Sequence, residues 1–158
     1  MRQILVVTSA VLLGACAGGQ AIRTSQNTIM VSAGAAPACG PEGAARVAAH
    51  TAAIETIRAG YTSYIISAGQ ASNNIRVTQA PGQVHTQGTV TYGGGYGTYQ
   101  QRSTYVPGPT IVSGRHSQAL AVTMFNPGDA GAEQAVDARQ VLGPDWQEKV
   151  RNGIRTCL

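Results

Sequence analysis

The sequence has few aromatic and few charged residues. Phe and Trp occur once each, at Phe125 and Trp146, and charged residues make up 11% of the 158 positions. A hydrophobic core therefore has to be built mainly from Ala, Val and Ile, which bury less apolar area per residue, so we expect modest stability. The 11 Lys and Arg residues form no cluster and no stripe. This spread argues against a nucleic-acid-binding protein.

Catalytic signatures are also missing. The acids form no spaced pair, the three histidines lack metal-ligand spacing, and no Gly-x-Ser-x-Gly elbow occurs. The glycine-rich stretch has no P-loop Lys. We therefore predict a protein that is not an enzyme and that uses no cofactor or metal. A cell-wall hydrolase assembled from distant residues is the catalytic alternative, although His50, between Val47 and Ile54 on a helix face, is better explained as a histidine at the core margin.

The amino terminus carries an export signal. A short, positively charged lead is followed by an apolar run at 4–13, which is too short for a membrane span of about 20 residues. The run ends in Leu13-Gly14-Ala15-Cys16, which resembles the lipobox of bacterial lipoproteins. A plain secretory peptide and an apolar amino-terminal helix are the alternatives.

The lipobox resemblance implies a location. It implies cleavage after Ala15, a diacylglycerol on the Cys16 sulfur and a further acyl chain, such as palmitate, on the new amino terminus. Two or three chains hold a protein firmly on a membrane. Because Ala17-Gly18 follows Cys16 in place of the Asp that favours inner-membrane retention, the resemblance implies an outer-membrane lipoprotein that faces the periplasm.

Two cysteines remain after lipidation of Cys16. Cys39 and Cys157 form an even pair in an oxidising compartment, and we predict a disulfide bond between them. They are 118 positions apart, and a closed loop of that order corresponds to about 4.7 kcal/mol in the chain-entropy model. The alternatives are two free thiols or a redox pair, and the redox pair lacks Cys-x-x-Cys spacing.

The chain after the signal peptide (1–15) is long enough for one domain. We predict a lipidated tether without regular structure at 16–23 and a single α+β domain at 24–158. β-Branched runs bounded by turn residues predict strands at 28–32, 61–68, 75–78, 83–92 and 118–125.

Two helices are predicted, and one segment stays open. An amphipathic, Ala-rich pattern predicts a helix over 41–59. A second helix begins near Trp146, with Val150 and Ile154 completing an apolar stripe up to Cys157. The segment 132–142 fits a short helix or an edge strand at 138–142.

These elements predict a small mixed or antiparallel sheet with the amphipathic helix on one face, a carboxy-terminal helix and a flexible Gly/Tyr-rich loop. If the strands that flank the first helix are parallel neighbours, their crossover should be right-handed.

The Gly/Tyr-rich loop is predicted at 93–114. One interpretation is that its tyrosines and the one just before it form a contact surface for sugar rings or partner side chains, as Tyr- and Gly-rich paratopes do. The alternative is a mobile loop or irregular hairpin whose tyrosines have no such role. The four side chains are Tyr92, Tyr96, Tyr99 and Tyr105.

Four segments carry a second resemblance: 52–61, 64–66, 121–124 and 137–142. With the lipobox, these segments resemble those of small Gram-negative outer-membrane lipoproteins of uncharacterised function. The resemblance implies a compact α+β domain on a lipid anchor. We expect a non-catalytic periplasmic lipoprotein that binds or scaffolds another envelope component, a protein or peptidoglycan; the alternative is a sensor of envelope redox state or stress.

Overall fold

Residues 17–157 are described by the computed structural model. They divide into two compact units. We call residues 17–74 and 115–157 the body, and residues 75–114 the ribbon. The predicted signal peptide and the lipidation site Cys16 lie outside the described residues. Whether 24–158 is a single domain, which depends on independent folding, stays a prediction.

Within residues 17–157 the chain forms nine strands and three α-helices. In chain order they are β1 (Ala17–Arg23), β2 (Thr28–Ala35), α1 (Gly40–Arg58), β3 (Ser63–Asn73), β4 (Arg76–Gln79), β5 (Gln83–Gly93), β6 (Tyr96–Val106), β7 (Thr110–Ser113), β8 (His116–Phe125), β9 (Val136–Asp137), α2 (Ala138–Leu142) and α3 (Trp146–Asn152), with single 3₁₀ turns at Pro37–Cys39 and Ala132–Gln134.

The body is a five-stranded sheet in the order β1-β2-β8-β3-β9, with every neighbouring pair antiparallel. β2 and β3 both run antiparallel to β8, so they are parallel to each other with β8 between them. The strand–helix–strand unit is therefore present, but its strands are not neighbours. The predicted α+β class, with an antiparallel sheet, one long helix and a carboxy-terminal helix, is confirmed.

The core lies between the sheet and α1. Alternate residues of β2 and β8 are buried, including Val31, Val122 and Met124 at 0–1% exposure. On the helix side, Ala48 and Ala52 are fully buried. As the composition suggests, alanines supply much of the helix surface, and their small size lets α1 lie close to the strands.

The predicted tether at 16–23 is wrong for residues 17–23, which form β1. β1 pairs with β2 from Ala17 opposite Ala35 to Arg23 opposite Ile29. The small residues that suggested a tether instead allow a close approach to α1, because a Cβ on Gly19 would collide with the Thr51 side chain. Glycine here is a packing requirement and not a mark of flexibility.

In the segment 132–142 the helix alternative holds for 138–142, and the alternative of an edge strand at 138–142 is wrong, because the short strand lies just before it at Val136–Asp137. A 3₁₀ turn is followed by β9, which pairs with β3, and then by α2. Asp137 caps α2, because its Oδ1 accepts a hydrogen bond of 2.9 Å from the Gln140 backbone N–H. Leu142 at the end of α2 is 1% exposed and belongs to the core.

The carboxy-terminal helix is shorter than predicted. α3 ends at Asn152, because Gly153 has a φ of 70° and turns the chain out of the helix. Trp146, Val150 and Ile154 nevertheless pack against the core. Ile154 therefore reaches the core from the extended segment after α3.

The predicted disulfide between Cys39 and Cys157 is confirmed. Their Cα atoms are 5.9 Å apart, and the bond joins the segment after α3 to the start of α1. Gly43 on the first turn of α1 lies against both cysteines. A Cβ added at Gly43 would be only 2.8 Å from the Cβ of Cys39, so no larger residue fits there without a shift. The Arg46 guanidinium donates to the Cys157 carbonyl oxygen at 3.5 Å.

The ribbon consists of two antiparallel pairs, β4 with β7 and β5 with β6. The prediction of a loop over 93–114 is therefore wrong, since β6 and β7 occupy most of that range. Two glycines, Gly94 and Gly95, connect β5 to β6 with φ of 60° and 86°. Such a two-residue turn matches the twist of the flanking strands and produces a regular hairpin.

Candidate binding surface

The hairpin register sorts the ribbon side chains onto two faces. β5 and β6 pair without a shift from Gln83 opposite Val106 to Gly93 opposite Tyr96. Side chains directly opposite each other share a face, and successive residues alternate between faces. The even-numbered residues of β5 therefore share one face with the odd-numbered residues of β6.

This first face concentrates the apolar and aromatic side chains, and we call it the tyrosine face. Val84 lies opposite Tyr105, Val90 opposite Tyr99, and Tyr92 opposite Gly97. Thr86 and Ser103 form a hydrogen-bonded pair of hydroxyls at 3.1 Å between them. No Asp, Glu, Lys or Arg belongs to this face over the length of β5 and β6.

Each tyrosine ring of this face lies over a glycine. The Tyr105 ring lies over Gly82 and the Tyr99 ring over Gly88, and in both places a Cβ would collide with the ring. The Tyr92 ring lies over Gly97, where the nearest ring atom would be 3.2 Å from a Cβ. The glycines thus let the rings lie along the strand surface.

The tyrosine face is open to solvent. Tyr92 is 83% exposed, Tyr99 60% and Tyr105 63%, and the two valines, Val84 and Val90, are 63% and 48% exposed. Because exposed apolar side chains concentrated on one face are typical of interaction surfaces, this face is the candidate binding surface.

The opposite face of the hairpin is polar. It carries His85, Gln87 and Arg102 together with a row of threonines. Tyr96, the fourth tyrosine of the predicted contact surface, lies on this face, opposite Gly93 and 84% exposed. The structure therefore brings together Tyr92, Tyr99 and Tyr105 and separates Tyr96 from them.

Sequence reasoning missed Val84 and Val90 as members of the surface. The available signal was the Gly94-Gly95 pair between two alternating segments, which predicts a two-residue hairpin turn and hence the register. With that register, the valines fall beside the tyrosines.

His50 on α1 lies at the edge of the core. It is half-buried, and burial lowers the pKa of its imidazole below the usual 6.5, with the nearby charges of Lys149 and Arg46 lowering it further. This position fits the core-margin histidine that we predicted.

We also searched the described residues for metal sites, clefts and membrane-spanning helices. Within residues 17–157, no group of three or more His, Cys, Asp or Glu side chains is arranged to hold a metal ion. A shallow cleft of about 420 Å³ lies over the ends of β1, β2 and β8, with Arg115 its one charged lining residue. Over the same residues, no helix combines the length and apolarity needed to span a membrane.

Comparison with known proteins adds no assignment. No protein-family model, no curated protein and no solved structure matches this chain.

Proposed function

We propose that the chain is a lipid-anchored, non-catalytic protein of the outer membrane that faces the periplasm and binds or scaffolds another envelope component, a protein or peptidoglycan. The observation that carries this proposal is the tyrosine face. Five exposed valine and tyrosine side chains lie together on a face of the hairpin that has no charged residue.

Tyrosine suits such a surface for physical reasons. Its ring offers a large contact area with only two side-chain torsions to fix, and its hydroxyl provides a hydrogen bond at the edge of the contact. Because the rings of Tyr99 and Tyr105 are already seated on Gly88 and Gly82, little conformational entropy remains to be lost on binding.

Anchoring would occur at Cys16, on the lipobox resemblance. β1 begins at Ala17, and the Ala17 backbone N–H donates to the Arg155 carbonyl oxygen at 3.2 Å. A lipid on Cys16 would therefore attach directly beside the first strand of the body, with no spacer between them. The test is labelling with a fatty-acid analogue: the wild type should incorporate it and Cys16→Ser should not, whereas continued labelling of Cys16→Ser would reject the anchor.

The binding proposal is tested by affinity capture from envelope extracts. A variant with Tyr92, Tyr99 and Tyr105 replaced by Ser should lose its partner, while Tyr96→Ser, on the opposite face, should retain it. Incubation with purified peptidoglycan provides the second arm and separates a glycan from a protein partner. Equal capture by the two variants in both arms would reject the tyrosine face as the binding surface.

A redox or stress sensor is the second candidate, and it relies on the bond between Cys39 and Cys157. Cys157 is only 7% exposed and Cys39 is partly buried, so a reductant has to attack at Cys39, and we rank this candidate lower. Capture under oxidising and reducing conditions distinguishes the two: a constant partner supports the scaffold, and a partner that changes with reduction supports the sensor.

A further inference from the structure

The hairpin of β5 and β6 has no third strand beside it among the described residues. All 22 residues of its two strands are exposed, and together the strands form a two-stranded sheet. An isolated two-stranded hairpin is marginally stable in water, and a third strand is normally required. Among the described strands, none lies beside the outer edge of either one.

The two edges of this hairpin differ in charge. β6 carries Arg102, whereas β5 (Gln83–Gly93) contains no Asp, Glu, Lys, Arg or Pro. Natural edge strands are usually protected from pairing by charge, proline or a bulge. β5 has none of these protections and is rich in Thr, Val and Tyr, the residues that favour strands.

The turn determines which backbone groups point outward from β5. In a two-residue hairpin the pair that flanks the turn, Gly93 with Tyr96, exchanges hydrogen bonds, and hydrogen-bonded pairs then alternate along the ladder. The odd-numbered residues of β5 therefore bond to β6. The N–H and C=O groups that point away from β6 belong to five even-numbered residues: Val84, Thr86, Gly88, Val90 and Tyr92.

This outward row is symmetric about Gly88. We propose that the β5 edge is a self-association surface, on which β5 of a second copy of this chain pairs antiparallel about a two-fold axis at Gly88. Val84 then lies opposite Tyr92 of the second copy, and Thr86 lies opposite Val90 of the second copy. Each contact occurs twice, as an isologous interface requires.

The uncharged β5 edge fits β5 of a second copy better than it fits a strand that carries charged residues. No charge opposes another across the axis, and both partners present the same alternation. Pairing joins two hairpins into a four-stranded sheet, which exceeds the three strands needed for stability. It also merges two tyrosine faces into one, with six tyrosines on the same side. The inference does not depend on the ligand of the tyrosine face or on the lipid anchor.

Single cysteines test the register. In full-length chain purified in mild detergent and treated with an oxidant, Gly88→Cys should give a disulfide-linked dimer, because an antiparallel hydrogen-bonded pair places its Cα atoms about 5.5 Å apart. Thr86→Cys and Val90→Cys each lie opposite a different residue and should remain at the wild-type background. Gly88→Ser controls for the side chain added under the Tyr99 ring.

Charge pairs test the same symmetry without a crosslink. Thr86→Lys with Val90→Lys places two like-charged pairs across the axis, whereas Thr86→Lys with Val90→Glu places two opposite-charged pairs there. Sedimentation velocity at low salt should show loss of the dimer for the first variant and its retention for the second. Equal behaviour of the two variants, or equal crosslinking at all three cysteine positions, would each overturn the proposal.

Discussion

The body and the ribbon are both built from antiparallel strands with alternating side chains, but they differ in what covers those strands. In β8, Val122 and Met124 are 0% exposed beneath α1, whereas in β5 the equivalent apolar positions, Val84 and Val90, are 63% and 48% exposed. An alternating pattern therefore sorts side chains onto faces but does not bury them. Burial requires a second layer, and here the helices supply it within the body.

This contrast assigns different roles to the two units. The free energy of folding should depend on the body, where the buried side chains and the disulfide lie, and binding should depend on the ribbon. Substitutions in the two units should then separate stability from interaction.

The largest expected effect is loss of the disulfide, which belongs to the body alone. Replacing Cys39 and Cys157 together by Ser should lower the free energy of unfolding by about 2–5 kcal/mol, the typical cost of removing a native disulfide. Urea unfolding followed by Trp146 fluorescence measures this change. An unchanged urea midpoint of unfolding would show that the disulfide does not stabilise the body.

A matched pair of truncations compares the two units directly. Met124→Ala empties a fully buried site and should cost about 2–5 kcal/mol. Val90→Ala, on the exposed ribbon, should change the free energy of unfolding by less than about 0.5 kcal/mol. Thermal or urea denaturation of the two variants gives the comparison, and a comparable loss for both would remove the distinction between the units.

A third test concerns a helix cap of the body. Asp137→Ala removes the hydrogen bond that the Gln140 N–H donates to the carboxylate and should cost about 1 kcal/mol. Asp145→Ala is the control, because Asp145 stands at the corresponding position of α3 without a side-chain cap. Unfolding curves of the two variants should show the larger shift for Asp137→Ala, and the reverse order would be inconsistent with the cap.

The smallest expected effect is a pH dependence from His50. Because its pKa in the folded protein lies below the usual 6.5, the unfolded chain takes up the proton first as the pH falls. The free energy of unfolding should therefore decrease as the pH drops from above 6.5 toward the lowered pKa. Urea unfolding at several pH values should show this decrease for the wild type and a weaker one for His50→Gln. Identical pH profiles would contradict the assignment.

Sequence reasoning succeeded where local patterns and tertiary packing agree. The helix predicted over 41–59 is observed at Gly40–Arg58, and the strand predicted at 118–125 lies within His116–Phe125. In both cases the apolar spacing reflects a face that is actually buried. The cysteine count likewise identified the pair that is bonded.

It failed where the reason for a residue lies in another part of the chain. The small residues of 17–20 resemble a tether until α1 is placed against them, when Gly19 becomes the point of contact with Thr51. The glycines of the ribbon suggest a loop until the opposite strand shows that tyrosine rings lie over them. Both errors come from interpreting glycine only as a sign of backbone flexibility. In both places glycine is needed because a side chain from another part of the chain lies directly against the backbone.

The most direct test of the account is photo-crosslinking at two tyrosine positions in intact cells that produce the chain. A photoreactive amino acid at position 99, on the tyrosine face, should capture a partner, and the same amino acid at position 96, on the polar face, should not. Both positions are more than half exposed, so exposure alone does not explain a difference. Capture at position 99 only is the predicted result, and equal capture at both positions, or at position 96 only, would contradict the assignment of the tyrosine face as the binding surface.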